Sequence, residues 1–283
     1  MKKIKGRLLS LFLILVMAVS AVACGGAGSD GNGADADNSA ANDAAAGDAA
    51  GENTAEGDAA ADGEGTGAGP AVAAEGEKII NIGVTDSLGG VNPFANDQTE
   101  LNKYATDLMF LPLMELDKDL NFQPMLADSI TTEDNIHFTV HIDDAATWSD
   151  GTPVTAQDVE YSVLRYASPV VANTTLLLYA FEGTDDATGF VEEGATSMAG
   201  LTVKDDKTIE FTAKYPMALT TFQNSYGRYL HVLPKHVIEK FSEEELTSAD
   251  WFNAPDVVSG PYILTGYDPN HYISYTANTA YWK

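Results

Sequence analysis

The chain has 283 residues, 42 of them acidic and 15 basic, for a net charge of −27. From Lys78 onward thirty acidic residues face eleven basic ones, which excludes the Lys/Arg footprint that nucleic acid requires and makes anionic lipid headgroups poor partners of this part. A single cysteine, Cys24, excludes an intrachain disulfide and a thiolate zinc cluster.

Residues 1–7 are cationic, and residues 8–23 are uncharged and mostly apolar, stopping short of the roughly 20 residues that a membrane-spanning helix needs. Residues 1–23 therefore read as a secretory signal peptide. The sequence Ala21-Val22-Ala23-Cys24 resembles the lipobox of bacterial lipoproteins, with Ala21 in place of the commoner leucine. That resemblance implies a diacylglycerol on the Cys24 thiol and attachment to a membrane through it. From Gly25 to Glu77 there is no Leu, Ile or aromatic residue, so nothing offsets chain entropy. Residues 24–77 are accordingly expected to be the lipidated cysteine and an acidic tether, spanning about 40 Å as a coil.

The folded part opens with the β-rich run Lys78–Val84 and a loop marked by Gly89-Gly90 and Asn92-Pro93. Apolar residues Leu101, Tyr104, Ala105, Leu108, Met109 and Leu113 recur at helical spacing, predicting a helix over 97–114. Residues 136–142 alternate as a strand, with Ile136, Phe138, Val140 and Ile142 on one face and His137, Thr139 and His141 on the other. Asp150-Gly151 makes a turn, and Thr155 with Asp158 is a capping-box pattern that opens a helix through about Tyr166. Leu201–Val203 and Thr208–Thr212 form a hairpin around Lys204–Lys207. Ala218–Gln223 is a short helical pattern, and a further helix opens at Pro234, with Val237, Ile238 and Phe241 inward. Strands at Gly260–Leu264 and Tyr272–Thr276 close the series, for a mixed α/β class.

The stretch Trp148–Ser162 resembles the signature of the oligopeptide and dipeptide (family 5) class of extracellular solute-binding proteins, receptor subunits of ABC importers. The resemblance continues in order through Asn92-Pro93, Pro124–Ser129, Phe138–Ile142, Val232–His236, Gly260–Tyr262 and Asn278–Trp282. It departs at His141–Asp144, where the family usually carries a basic residue. It implies a periplasmic-binding-protein-like fold with a small domain inserted in lobe I: lobe I from 78–95 and 197–283, the insertion from 96–196. The chain stops one residue past the Asn-x-x-Tyr-Trp element, so a missing second lobe and an amino-terminal fragment are expected.

The resemblance further implies an extracytoplasmic, lipid-anchored receptor for a peptide or other small solute, working with an ABC permease in the membrane, with no cofactor and no enzymatic activity. Nickel chelates or oligosaccharides are alternative ligands, and an adhesive or scaffold lipoprotein is an alternative role. Ligand-facing candidates on this basis are Asn96, Asp97 and Thr99 behind Asn92-Pro93, Asn173 from the insertion, Tyr281 at the lobe junction, and Tyr226 and Tyr229. Asp97 suits a ligand cation, and capping of the following helix is its equally weighted alternative. His137 and His141, about 13 Å apart along a strand, do not share a metal, and His231 and His236 read as structural. The catalytic motifs of serine hydrolases, zinc proteases and phosphate-binding loops are absent from the sequence.

Overall fold

The protein is described here from a computed structural model covering residues 78–85, 88–95, 99–268 and 271–283. The signal, Cys24, the tether, Asn96 and Asp97 lie outside the described residues.

The run expected as a first strand does not form one. Residues 78–84 lie outside any ladder, and Ile80 and Ile82 are each 80% exposed. Alternating apolar residues make a strand only when a neighbour supplies hydrogen bonds and cover, and among the described residues none does. The helix expected over 97–114 is also shorter: α1 spans Glu100–Asp107, capped by Thr99, whose Oγ1 accepts from the Asn102 N–H at 3.2 Å. The cap is thus Thr99 and not Asp97. Beyond α1, Met109–Leu113 is buried on every side. Pro112 explains the change, because it lacks an N–H and biases Leu111 away from helix. The segment leads into β1 (Met114–Leu116), which pairs antiparallel with β2 (Phe122–Pro124).

Four antiparallel strands form the main sheet in the order β3 (Ala127–Thr131), β4 (His137–Ile142), β6 (Thr208–Thr212), β5 (Leu201–Val203). Alternation acts as expected: Phe138, Val140 and Ile142 are buried, with Phe138 opposite Phe211 and Val140 opposite Ile209. Phe222 stacks on Phe138 with ring centres 4.5 Å apart. The outward histidines each meet an aspartate, His137 with Asp134 at 2.7 Å and His141 with Asp128 at 3.0 Å. A domain boundary at 196/197 would cut this sheet, because β3 and β4 lie before it and β5 and β6 after it. Ladder bonds join the two pairs of strands across that position.

Helix α2 (Ala156–Tyr166) lies against β5 and β6. Its capping box is closed by Asp158 Oδ2, which accepts from the Thr155 N–H and hydroxyl, each at 2.9 Å. The other oxygen, Oδ1, accepts from the Lys235 N–H at 3.0 Å, and Ser162 Oγ accepts from the Leu233 N–H at 2.9 Å. These two side chains fasten the segment carrying α4 (Lys235–Ile238), a single turn with Pro234 at its cap. Ile238 is buried there, whereas Val237 and Phe241 are only half-buried. Preceding it, α3 (Leu219–Phe222) runs into a π-helical turn, Gln223–Gly227. Asp150 accepts from the Thr152 N–H at 2.9 Å and pairs with His236 at 2.9 Å, around Gly151 at φ +87°.

The ribbon β7 (Tyr262–Asp268) and β8 (Tyr272–Ala277) ends the described fold. Its root is bound to the buried crossing after α1: the Ser259 and Gly260 N–H groups donate to the Met109 carbonyl at 3.0 and 2.7 Å, and Ser259 Oγ accepts from the Leu111 N–H at 3.0 Å. Asn278 Nδ2 donates to the Gly260 carbonyl at 2.9 Å, joining the last two sequence motifs. A Cβ on Gly260 would lie 2.4 Å from the Leu108 carbonyl oxygen, a backbone atom that cannot yield cheaply. Gly260→Ala is therefore expected to cost about 1–3 kcal/mol by overpacking, read as a lower denaturation midpoint at unchanged m-value.

Candidate functional site

Helix α1 lays its first two turns along the side of a small pocket of about 30 Å³. Thr99, Glu100 and Thr175 are exposed at its rim, while Pro93, Lys103, Tyr166, Leu176 and His231 are buried around its floor, with Tyr229 half-buried between them. Asn173 fixes two of the contributing loops. Its Nδ2 donates to the Phe94 carbonyl at 3.3 Å, and its Oδ1 accepts from the Thr175 and Leu176 N–H groups at 3.0 and 2.9 Å. Asn173, expected as a ligand-facing residue, has no exposed surface in this chain and holds the two loops together from within.

The floor rests on a network of charge. Lys103, 3% exposed, donates to Asp107 at 2.7 Å and to Glu115 at 2.6 Å. His231 Nε2 lies 2.6 Å from the other Asp107 oxygen, and Arg228 Nε donates to Glu115 at 2.6 Å. Burial opposes the Lys103 charge, but the Asp107 and Glu115 carboxylates outweigh it and hold the ammonium pKa above its ordinary value. Burial would raise the Asp107 pKa, and the hydrogen bond and charge of His231, together with Lys103, overcome that and lower it. Glu115 is lowered likewise, against burial, by Lys103, the Leu116 N–H and Arg228. Tyr229 is flanked by two cations, Lys103 at 5.6 Å and Arg228 at 5.5 Å from its ring centre, and its hydroxyl donates to Glu100 at 3.4 Å.

A wider open groove of about 350 Å³ adjoins the pocket and shares Thr175 with it. Leu177, Tyr179, Tyr215, Met217 and Tyr226 line it, and no charged side chain does. Tyr226 is mostly core, packed on Phe181 at 4.7 Å, and burial pushes its phenol up to about 12. Of the expected site residues, the structure brings Thr99 and Tyr229 together at the pocket and sets Tyr226 in the adjoining groove. Tyr281 lines neither hollow. It lies half-buried at the end of the chain, 6.0 Å from the Trp282 ring, with its hydroxyl pKa raised by burial. The sequence reading missed Lys103, Asp107, Glu115 and Arg228. Only the i, i+4 spacing of Lys103 and Asp107 was visible in advance. Among the described residues no group of three His, Cys, Asp or Glu side chains converges as metal ligands would.

Residues 121–283 match the family of bacterial extracellular solute-binding proteins, family 5, middle region. The chain belongs to that family. Among curated relatives, the periplasmic oligopeptide-binding protein OppA of Escherichia coli is 32% identical over 62% of this chain and 31% of its own length. The dipeptide-binding protein DppE of Bacillus subtilis is 30% identical over 60% of this chain and 30% of its own. Among solved structures, Haemophilus influenzae OppA in complex with the peptide RPPGFSPFR superposes with a TM-score of 0.59 at 25% identity, over 69% of this chain and 37% of that one. The fold is thus periplasmic-binding-protein-like, and the chain spans about a third of the length of the curated relatives it matches.

Removing the central cation tests the network. Lys103→Met should cost about 3 kcal/mol, because two largely buried carboxylates lose their shared partner. The pH dependence has a definite sign. Carboxylates whose folded pKa is lowered contribute stability above the ordinary range near pH ~4 and lose it as pH falls through the lowered values. Lys103→Met removes part of that lowering, so the variant's remaining stability should fall less steeply on acidification below pH ~4 than the wild type's, as read by chemical denaturation across that range.

Proposed function

We propose that the chain supplies one wall of a peptide-binding receptor that serves an ABC importer outside the cytoplasmic membrane. The observation carrying this reading is the family match across residues 121–283 together with similarity to OppA and DppE, whose names record oligopeptide and dipeptide binding. The pocket and groove fit it. Rim groups Thr99, Glu100 and Thr175 offer polar contacts for a peptide backbone, Tyr229 offers a ring face, and the uncharged groove beside them offers room for an apolar side chain. In this reading Thr99, Tyr229 and Tyr226 keep their assignment to the ligand wall, together with Asn96, Asp97 and Asn173, and Tyr281 stands at the junction to a second lobe. The small domain then ends after Thr212 and not at 196, and Cys24 carries the lipid that holds the receptor at the membrane.

A single wall covers about half of what a closed two-lobed cleft buries. If a closed receptor binds at about 1 μM, near −8 kcal/mol, then half the contacts leave about −4 kcal/mol, a dissociation constant of the order of 1 mM. Titrating a defined tripeptide pool into the isotopically labelled chain should therefore shift the amide resonances of Thr99, Lys103, Thr175 and Tyr229, saturating at the millimolar scale. Unmoved resonances at about 10 mM peptide would end the reading. The anchor is tested separately by metabolic labelling with a palmitate analogue, expected to mark the wild type and spare Cys24→Ser. Equal labelling of both would remove lipidation from the proposal.

A further inference from the structure

Large apolar side chains exposed singly on a surface need no explanation, but three that share one hollow do. Leu177, Tyr179 and Tyr215 are 42%, 50% and 68% exposed, and all three line the groove of about 350 Å³ beside the pocket. The backbone brings the two tyrosines together. The Lys214 N–H donates to the Ala180 carbonyl at 2.8 Å, next to the antiparallel bridge between Phe181 and Ala213, so residues 179 and 215 flank a bonded pair. Among the described residues no aromatic ring and no cation stacks on either of these rings. Pro216 and Met217 line the same hollow, and the π-helical turn Gln223–Gly227 contributes Ser225 and Tyr226. Tyr226 is held in place by Phe181 and Phe222, with ring centres 4.7 and 5.6 Å away. Turns of this kind are rare and recur at functional sites.

The lining selects the occupant. The volume lies within the roughly 300–1,000 Å³ of small-ligand sites, which gives room for a ring. No charged side chain lines the groove, and the lysine next to Tyr215 is committed elsewhere: Lys214 donates to Asp186 and to the Thr184 carbonyl, each at 2.6 Å. A charged side chain entering the groove would therefore give up water without gaining a counter-ion. Tyrosine rings instead offer offset or edge contacts to another ring, and methionine packs well against a ring edge. Thr175, common to both hollows, joins the groove to the pocket whose rim the receptor reading gives to a peptide backbone.

We propose that the groove is a subsite for an aromatic side chain of the bound peptide, read by the rings of Tyr179 and Tyr215 together with Leu177 and Met217. The assignment of the aromatic group to a peptide rests on the receptor reading above, and the aromatic slot itself does not. Tripeptides carrying phenylalanine, alanine or glutamate at one position, each position in turn, with alanine elsewhere, are titrated into the isotopically labelled chain. The best phenylalanine peptide should bind about tenfold tighter than trialanine and shift the amide resonances of Tyr179, Tyr215 and Met217 as well as those of the pocket. Glutamate at that position should bind no better than alanine. Tyr215→Ala, at a side chain exposed enough for the fold to survive its loss, should reduce the preference for phenylalanine to about twofold. Phenylalanine peptides that bind no tighter than trialanine, or groove resonances that stay still while those of the pocket move, would overturn the subsite and leave the receptor reading standing. If no tripeptide moves any resonance at about 10 mM, the receptor reading falls and N-acetylphenylalaninamide decides the slot. Shifts at Tyr179, Tyr215 and Met217 with that probe would support it, and their absence would overturn it as well. Groove resonances that move with protein concentration and with neither probe would make a second copy of this chain the occupant, which also overturns the proposal.

Discussion

A lysine ammonium held 97% out of water is tolerable only where anionic oxygens surround it, and the placement of Lys103 organises much of this molecule. Its two carboxylate partners sit on different elements, Asp107 at the end of α1 and Glu115 in β1. Each of these binds a further side chain, Asp107 the His231 ring after the π-helical turn and Glu115 the Arg228 guanidinium at that turn's end. Three segments, α1, β1 and the stretch from Arg228 to His231, are thereby fixed relative to one charge. The same lysine, with Arg228, brackets the Tyr229 ring and holds it over the pocket. The network serves geometry more than net stability, since ion pairs of this burial contribute little over a well-packed apolar alternative. Its cost falls on substitution, when one partner is left charged and alone.

The segment that most resembles the family signature works on the fold and not on the ligand. Asp158 closes the helical cap with one oxygen and fastens the Lys235 backbone with the other, while Ser162 holds Leu233. Asp150 is divided between its own turn and His236. Gly260-Pro-Tyr and Asn278 play the same part at the other end, where a glycine without a side chain lets the ribbon lie on the Met109 carbonyl and an asparagine amide locks it there. Asp158, Ser162 and Asn278 each satisfy two backbone groups at once.

That division explains what could be read in advance. Period-two alternation over 137–142, the Thr155/Asp158 cap and the 201–212 hairpin were legible because the interactions that make them are local, and the structure has each. The helix toward Met114 was overextended because a fully buried extended run carries the same apolar residues as a helix face, and only Pro112 distinguishes them. The strand at 78–84 was overread because its partner cannot be inferred from its own pattern. At the site, Thr99 and Tyr229 line one pocket although 130 positions separate them, a proximity that no periodicity conveys. The burial of Asn173 was not legible, because a sequence match places the residue on a loop without telling which way its amide turns. Lys103 gave one clue, its spacing to Asp107, but its other anchors lie 12 or more residues away and were invisible.

The pocket therefore has two layers with different freedoms. Its floor, Lys103, Tyr166, Leu176 and His231, is buried and shared with the core, so a change there alters folding and binding together. Its rim, Thr99, Glu100 and Thr175, is exposed, so a substitution there perturbs few buried contacts. Thr99 is the exception, since its hydroxyl oxygen also caps α1 and links the rim to the helix that delivers Lys103. Glu100 and Thr175 can therefore be replaced while the buried floor beneath them stays in place.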